Sequence, residues 1–315
     1  MTAFAFVFPG QGSQAVGMLD AWGDHPAVRA TLAEASEALG EDIAALIAQG
    51  PKESLDLTTN TQPVMLTAGV ACWRAWLAET GLQPALVAGH SLGEYSALVA
   101  AGALSLKDAL PLVRFRAQAM QEAVPVGTGG MAAILGMDAE AVKAGCAQAA
   151  AAVGEPVEAV NFNDPKQTVI AGTKAAVEKA CEVLKAAGAK RALPLPVSAP
   201  FHSSLMKPAA ERLKGQLAAT AFAAPAIAVL NNIDVATATE ADAIRDALYR
   251  QAFGPVRWVE SIQAMKARGI THVIECGPGK VLAGMVKRID GELVSTTIFD
   301  PASLQEAKGL IQGAA

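Results

Sequence analysis

Residues 85–102 constrain this chain more than any other stretch. The apolar residues 85–88 read as a short buried strand, running directly into Gly89-His90-Ser91-Leu92-Gly93 and then into a small-residue helix beginning about Leu92. That is G-x-S-x-G in a strand–turn–helix setting. So sharp a turn leaves no room for side chains at its flanks, which accounts for Gly89 and Gly93. It also lifts the Ser91 hydroxyl clear of the backbone, at a helix start whose free N–H groups and dipole favour negative charge. A serine so placed is suited to attack a carbonyl. The bland reading is a tight βα turn with an ordinary serine, and the agreement of motif with setting weighs against it.

The chain of 315 residues is long enough for one large domain, or for one domain carrying an insertion. Its hydrophobic fraction is 52%, much of it alanine, which favours helices. The net charge of −5 provides no basic surplus for nucleic acid or an anionic membrane, and neither is expected as a partner. A single local basic site for an anionic substrate is still compatible with that sum. The four cysteines, Cys72, Cys146, Cys181 and Cys276, form no C-x-x-C pair. They are expected to be reduced, buried and small-hydrophobe-like, with no metal site. The N-terminal stretch lacks a positive leader, and no uncharged apolar run reaches the length of a membrane span. The protein is expected to be soluble, cytoplasmic and monomeric.

In chain order, residues 3–8 form a strand that ends in Pro9-Gly10-Gln11-Gly12-Ser13-Gln14. Glycines there let the backbone turn N–H groups into a cavity. The pattern is neither G-x-G-x-x-G nor G-K-[ST], so a phosphate loop is not supported. Residues 26–50 read as helical, 57–62 as a turn, and Pro63 as near the start of a helix to about Glu79. Ser105 reads as the N-cap of a helix over 106–123. Composition changes at 125–130. From there the order is strand 131–136, helix 138–152, strand 157–162, strand 167–171, helix 173–187 and strand 189–195. That is the complete β-α-β-β-α-β pattern of a ferredoxin-like unit. A helix then follows to about Ala219. Next come strand 227–230, helix 240–252, a helix from Val256, strand 271–275 and a helix from Lys280. The expected architecture is α/β, with a parallel sheet flanked by helices over 1–125 and 197–315, and an inserted subdomain over 126–196. The joints at 125–130 and 194–200 would be hinges.

A serine hydroxyl needs a base. Of the four histidines, His90 adjoins Ser91 and points away from it, His25 lies in a polar segment and His272 inside a strand. His202, at a loop-to-helix junction beside Phe201, is the base by elimination. No acidic residue stands out to orient it, and an oxygen of the Gln251–Gly254 turn could serve. The oxyanion hole would be the N–H of Leu92 with one from the glycine loop, that of Gln11. A helix bearing Leu112, Phe115 and Met120 also carries Arg114 and Arg116. Either arginine could reach a cavity and grip a carboxylate bidentately, and spacing does not choose between them.

Taken together these residues resemble a family. Phe8-Pro9-Gly10-Gln11-Gly12-Ser13-Gln14, Gly89-His90-Ser91-Leu92-Gly93-Glu94-Tyr95 and Met120-Gln121-Glu122-Ala123-Val124-Pro125 are similar to the malonyl-CoA:acyl-carrier-protein transacylases of fatty-acid synthesis. So are Val160-Asn161-Phe162-Asn163, Ala199-Pro200-Phe201-His202-Ser203, Gln251 and Glu275-Cys276-Gly277-Pro278-Gly279. The resemblance extends to the acyltransferase domains of polyketide synthases. It implies a hydrolase-like core, Ser91 as nucleophile, His202 as base and the Gln251 carbonyl as its support. It likewise implies Gln11 and Leu92 as oxyanion donors, and Arg116 rather than Arg114 as the malonyl carboxylate's partner. Met120, Asn161 and Phe201 would contact substrate, Phe201 being the residue of the malonyl type. The implied substrates are malonyl-CoA and acyl carrier protein, with no cofactor. The alternatives are a serine thioesterase or hydrolase, and the carrier-protein acyltransferase of a polyketide synthase or malonate decarboxylase.

Overall fold

In the computed structural model, residues 3–197 and 199–313 are described. Ser198, within the expected 194–200 joint, lies outside them, as do residues 1, 2, 314 and 315 at the ends of the expected larger domain.

β1 (Phe4–Phe8) is buried along its whole length, as a strand covered on both faces must be. Helices α1 (Pro26–Leu39), α2 (Ile43–Gln49), α3 (Lys52–Leu55) and α4 (Thr58–Thr80) follow. β2 (Leu86–Gly89) then pairs in parallel with β1, from Ala5 opposite Leu86 to Phe8 opposite Gly89. α5 (Gly93–Ala100) and α6 (Leu106–Gln121) lead to a second unit. It comprises β3 (Gly129–Leu135), α7 (Ala139–Val153), β4 (Val157–Asp164), β5 (Gln167–Thr173), α8 (Lys174–Ala186) and β6 (Arg191–Pro194). The chain returns through α9 (Lys207–Ala219), β7 (Ala228–Leu230), α10 (Ala241–Gln251) and α11 (Trp258–Ala267). It ends with β8 (His272–Cys276), α12 (Val281–Ile289), β9 (Val294–Ile298) and α13 (Pro301–Gly313).

Among the described residues the larger sheet runs β7-β2-β1-β8-β9, and every pairing in it is parallel. The smaller sheet runs β4-β5-β3-β6 and is antiparallel throughout. The α/β class expected from sequence is therefore the one observed. Alternation along β1 divides the core. Phe4, Phe6 and Phe8 join the cluster under α4, where the Phe6 ring meets Trp73 at 5.5 Å and Trp76 at 5.3 Å. Ala5 and Val7 face the opposite cluster around Trp258, Met265 and Leu282. β4 is tied to the larger unit by Val256 N–H to Val160 O at 2.8 Å and Phe162 N–H to Val256 O at 3.0 Å. Arg288 Nε donates to Asp164 Oδ2 at 2.6 Å across the same seam.

Four expectations need correction. The turn expected at 57–62 is instead the first part of α4, and Pro63 lies inside that helix. Every residue from Thr61 to Trp73 is buried, and that burial outweighs the single hydrogen bond proline removes. The helix expected from Val256 starts at Trp258, because the Val256 backbone is engaged with β4. β9 was not anticipated: its Val-Ser-Thr-Thr-Ile sequence lacks an apolar alternation. Cys181 is half-buried, whereas Cys72, Cys146 and Cys276 are buried as expected.

Candidate active site

The site forms where β2 turns into α5. Ser91 has φ 53°, a left-handed conformation that costs a non-glycine residue of order 1–3 kcal/mol. The flanking glycines make that turn possible. A Cβ on Gly89 would sit 1.8 Å from the Gly93 carbonyl carbon, and one on Gly93 would sit 2.0 Å from the Phe8 oxygen. The strained turn is held from behind by Asn232, which follows β7. Its Oδ1 accepts the Ser91 N–H at 2.7 Å, and its Nδ2 donates to the Gly89 carbonyl at 2.7 Å.

The Ser91 hydroxyl lies 2.6 Å from His202 Nε2. On the ring's other side, Nδ1 lies 2.9 Å from the Gln251 carbonyl and 3.2 Å from that of Gly254. Carbonyls only accept, so Nδ1 carries the proton and Nε2 is left to accept from the serine. His202 is itself left-handed, with φ 65°. Burial, followed by the positive charge of Arg116, pushes its pKa down to about 3. The ring is accordingly neutral, and free to take a proton, across the physiological range.

Arg116, on α6, is 2% exposed. Nη1 donates to Gln62 Oε1 at 2.8 Å, and Nη2 donates to Gln251 Oε1 at 3.0 Å and to Ser91 Oγ at 3.2 Å. Its guanidinium carbon stands 5.5 Å from the centre of the Tyr95 ring. Arg114, two residues earlier, turns outward and grips Glu41 with two bonds of 2.7 and 2.8 Å. Between the two candidate arginines, only Arg116 reaches the serine.

Ser91, Arg116 and His202 line a cavity of about 710 Å³. Gln11, Leu92, Met120, Asn161 and Phe201 line it as well. Gln251 stands behind His202 and Arg116, with no exposure. Neither the Leu92 N–H nor the Gln11 N–H has an acceptor among the described residues. His90 turns away to Asn163 Oδ1, 2.8 Å from its Nε2, and leans on Trp258. Among the described residues no cluster of His, Cys, Asp or Glu could hold a metal ion, and no helix is long and apolar enough to cross a membrane.

Four residues at the site have no role in the sequence reading. Gln62 lies in the stretch misread as a turn. Tyr95 and Glu94 belong to the elbow helix, where an acid among small and apolar residues was a usable signal. Asn232 carried none, since it is 141 residues from its partner Ser91.

A serine on a strand-to-helix elbow of a parallel sheet, bonded to a histidine and opening on a cavity of mixed polar and apolar lining, defines the α/β class of serine-elbow enzymes. The chain belongs to the acyl transferase domain family, which matches residues 5–292, and within it to the malonyl CoA-acyl carrier protein transacylases. It is 55% identical over 308 residues to the malonyl CoA-acyl carrier protein transacylase of Salmonella typhimurium, covering 98% of this chain and 99% of that one. It is 48% identical over 308 residues to the Bacillus subtilis enzyme of the same name, at 98% and 96% coverage. The fold matches the crystal structure of the acyl-carrier-protein S-malonyltransferase from Burkholderia pseudomallei 1710b with a TM-score of 0.96, at 68% identity, covering 97% of this chain and 99% of that one. It also matches a malonyl-transacylase solved in complex with its type II polyketide synthase acyl-carrier protein, with TM-score 0.95, 50% identity and coverage of 99% and 100%.

Proposed function

We propose that this protein transfers the malonyl group from malonyl-CoA to the phosphopantetheine thiol of acyl carrier protein, by way of a malonyl ester on Ser91. The observation that carries this reading is the 3.2 Å between Arg116 Nη2 and Ser91 Oγ. A short acyl group esterified there and ending in a carboxylate has a guanidinium within reach of that carboxylate. Relatives named for malonyl transfer, alike over nearly the whole chain, support the same substrate.

In the first half-reaction the Ser91 oxygen attacks the thioester carbonyl while Nε2 of His202 takes its proton. The Gln251 and Gly254 carbonyls hold Nδ1–H and stabilise the imidazolium in the place of an acid. The N–H groups of Leu92 and Gln11, without an acceptor among the described residues, are suited to receive the developing oxyanion. The carbon–sulfur bond then breaks, and CoA leaves with the proton from His202. In the second half-reaction the carrier's thiol gives its proton to His202 and attacks the ester, and Ser91 recovers its hydrogen as it leaves. Met120, Asn161 and Phe201 serve as walls for the acyl group and its arm. No step calls for a cofactor. We assign the protein to the cytoplasm as a monomer supplying extender units for fatty-acid synthesis. A polyketide carrier is the second reading, favoured by the relative solved with such a carrier.

Intact-protein mass after brief exposure to malonyl-CoA tests the proposal. Wild type should gain one malonyl group, lose it on addition of carrier protein, and release little malonate without it. Free malonate formed equally in both tubes would instead identify a hydrolase.

A further inference from the structure

Behind the reacting groups lies a buried carboxyl that the mechanism does not use. Glu94 sits in the first turn of α5 and is 2% exposed. Its Oε2 accepts Gln251 Nε2 at 2.9 Å and the Asn232 backbone N–H at 2.9 Å. Each of those partners holds part of the site. Gln251 gives its carbonyl to His202 and its Oε1 to Arg116, and its Nε2 also donates to Ser91 O at 3.0 Å. Asn232 receives the Ser91 N–H. One carboxylate thus joins the supports of nucleophile, base and guanidinium.

We infer that Glu94 is a positioning residue of acyl transfer, whose carboxylate orients the Gln251 amide so that Oε1 faces Arg116 and thereby sets preference for acyl groups bearing a carboxylate. An ionised carboxylate only accepts, so the amide must present NH₂ to it and oxygen to the guanidinium. With the amide reversed, two donors would face each other inside a buried site. The inference rests on the acyl-transfer reading above.

The charged and titratable groups that reach Glu94 are Arg116 on α6, Asp234 beyond β7 and the Tyr95 phenol, with His202 lying across Gln251. Between pH 6 and 8 their states are constant. Tyr95 is pushed up to about 12 and His202 down to about 3, while Arg250 holds Asp234 ionised. Burial lifts Glu94 itself to about 7.

The experiment compares wild type with Glu94→Gln, using malonyl-CoA and acetyl-CoA as donors, carrier protein as acceptor and rates normalised to active sites. For Glu94→Gln we expect malonyl kcat/KM to fall at least tenfold and acetyl kcat/KM to fall less. The wild-type malonyl-to-acetyl ratio should rise from pH 6 to 8, and that of the variant should stay flat. A variant that retains the wild-type ratio and pH profile, or that loses both donors equally, overturns the inference. If Glu94→Gln does not fold, the wild-type ratio decides alone, and a flat profile overturns it. Wild type that forms no malonyl ester overturns the acyl-transfer reading, and this inference with it.

Discussion

Arg116 Nη2 and Ser91 Oγ are 3.2 Å apart although the two residues come from different segments, helix α6 and the turn before α5. The guanidinium is buried, and its partners here are neutral: two glutamine oxygens, the serine hydroxyl and the face of Tyr95. A buried cation without a direct carboxylate partner carries unspent attraction for an anion of the right size. In the acyl-transfer reading proposed above, that attraction is what would make Arg116 a specificity device for the donor's distal carboxylate.

Arg116→Ala should therefore lose malonyl transfer more than the transfer of uncharged acyl groups. Charge-assisted bonds contribute about 1.5–3 kcal/mol each, so malonyl kcat/KM should drop on the order of 100-fold. Acetyl-CoA should be used as well as before or better. Steady-state kinetics with both donors checks this, and unchanged malonyl kinetics would reject the clamp.

The elbow was legible because its constraint is local. Gly89 and Gly93 are dictated by contacts within a few residues and by β1 alongside, and the motif records them directly. The choice between Arg114 and Arg116 was not local. It depends on Glu41 pulling one arginine outward and on Gln62 and Gln251 receiving the other. The support of His202 is a main-chain carbonyl, which any residue type could supply, so the residues pointed only to the Gln251–Gly254 turn and the family resemblance to Gln251 itself. The antiparallel unit, by contrast, read almost strand for strand, because its helices are capped by Asp138 and Thr173 and its strands are punctuated by Gly136, Gly154, Pro156, Pro165 and Gly188.

Gly89→Ala should be among the most destabilising single changes. Its methyl would lie 1.8 Å from the Gly93 carbonyl carbon, and the obstacle is backbone rather than a side chain that can move aside. The expected loss is about 3 kcal/mol or more. Thermal unfolding would read it as a drop of many degrees, and a variant melting with wild type would contradict the tight elbow.

Two buried groups should bend the pH dependence of stability in opposite directions. His202 is held at about 3 in the folded protein against an ordinary value of 6.5. Between those values the unfolded chain binds a proton that the folded chain excludes, so stability falls as pH drops. Glu94 is raised to about 7 from 4.5, so its contribution is present below 4.5 and lost as pH rises through 7. Relative to wild type, His202→Gln should gain melting temperature at pH 4.5 over pH 7. Glu94→Gln should gain at pH 8 over pH 5. Parallel melting curves for either variant would refute its assigned shift.

Asn232→Ala tests the brace behind the nucleophile. The side chain satisfies the Ser91 N–H and the Gly89 carbonyl, both in the turn that holds Ser91 at its left-handed φ. Removing it leaves a half-buried donor and a buried acceptor unpaired, the buried one at about 1–3 kcal/mol. The variant should melt lower and also react more slowly at Ser91, because the strained φ of that residue loses its restraint. Active-site titration with a fluorophosphonate, read alongside thermal unfolding, separates the two effects. A variant that is less stable but labels at the wild-type rate would show that the elbow holds its shape without Asn232.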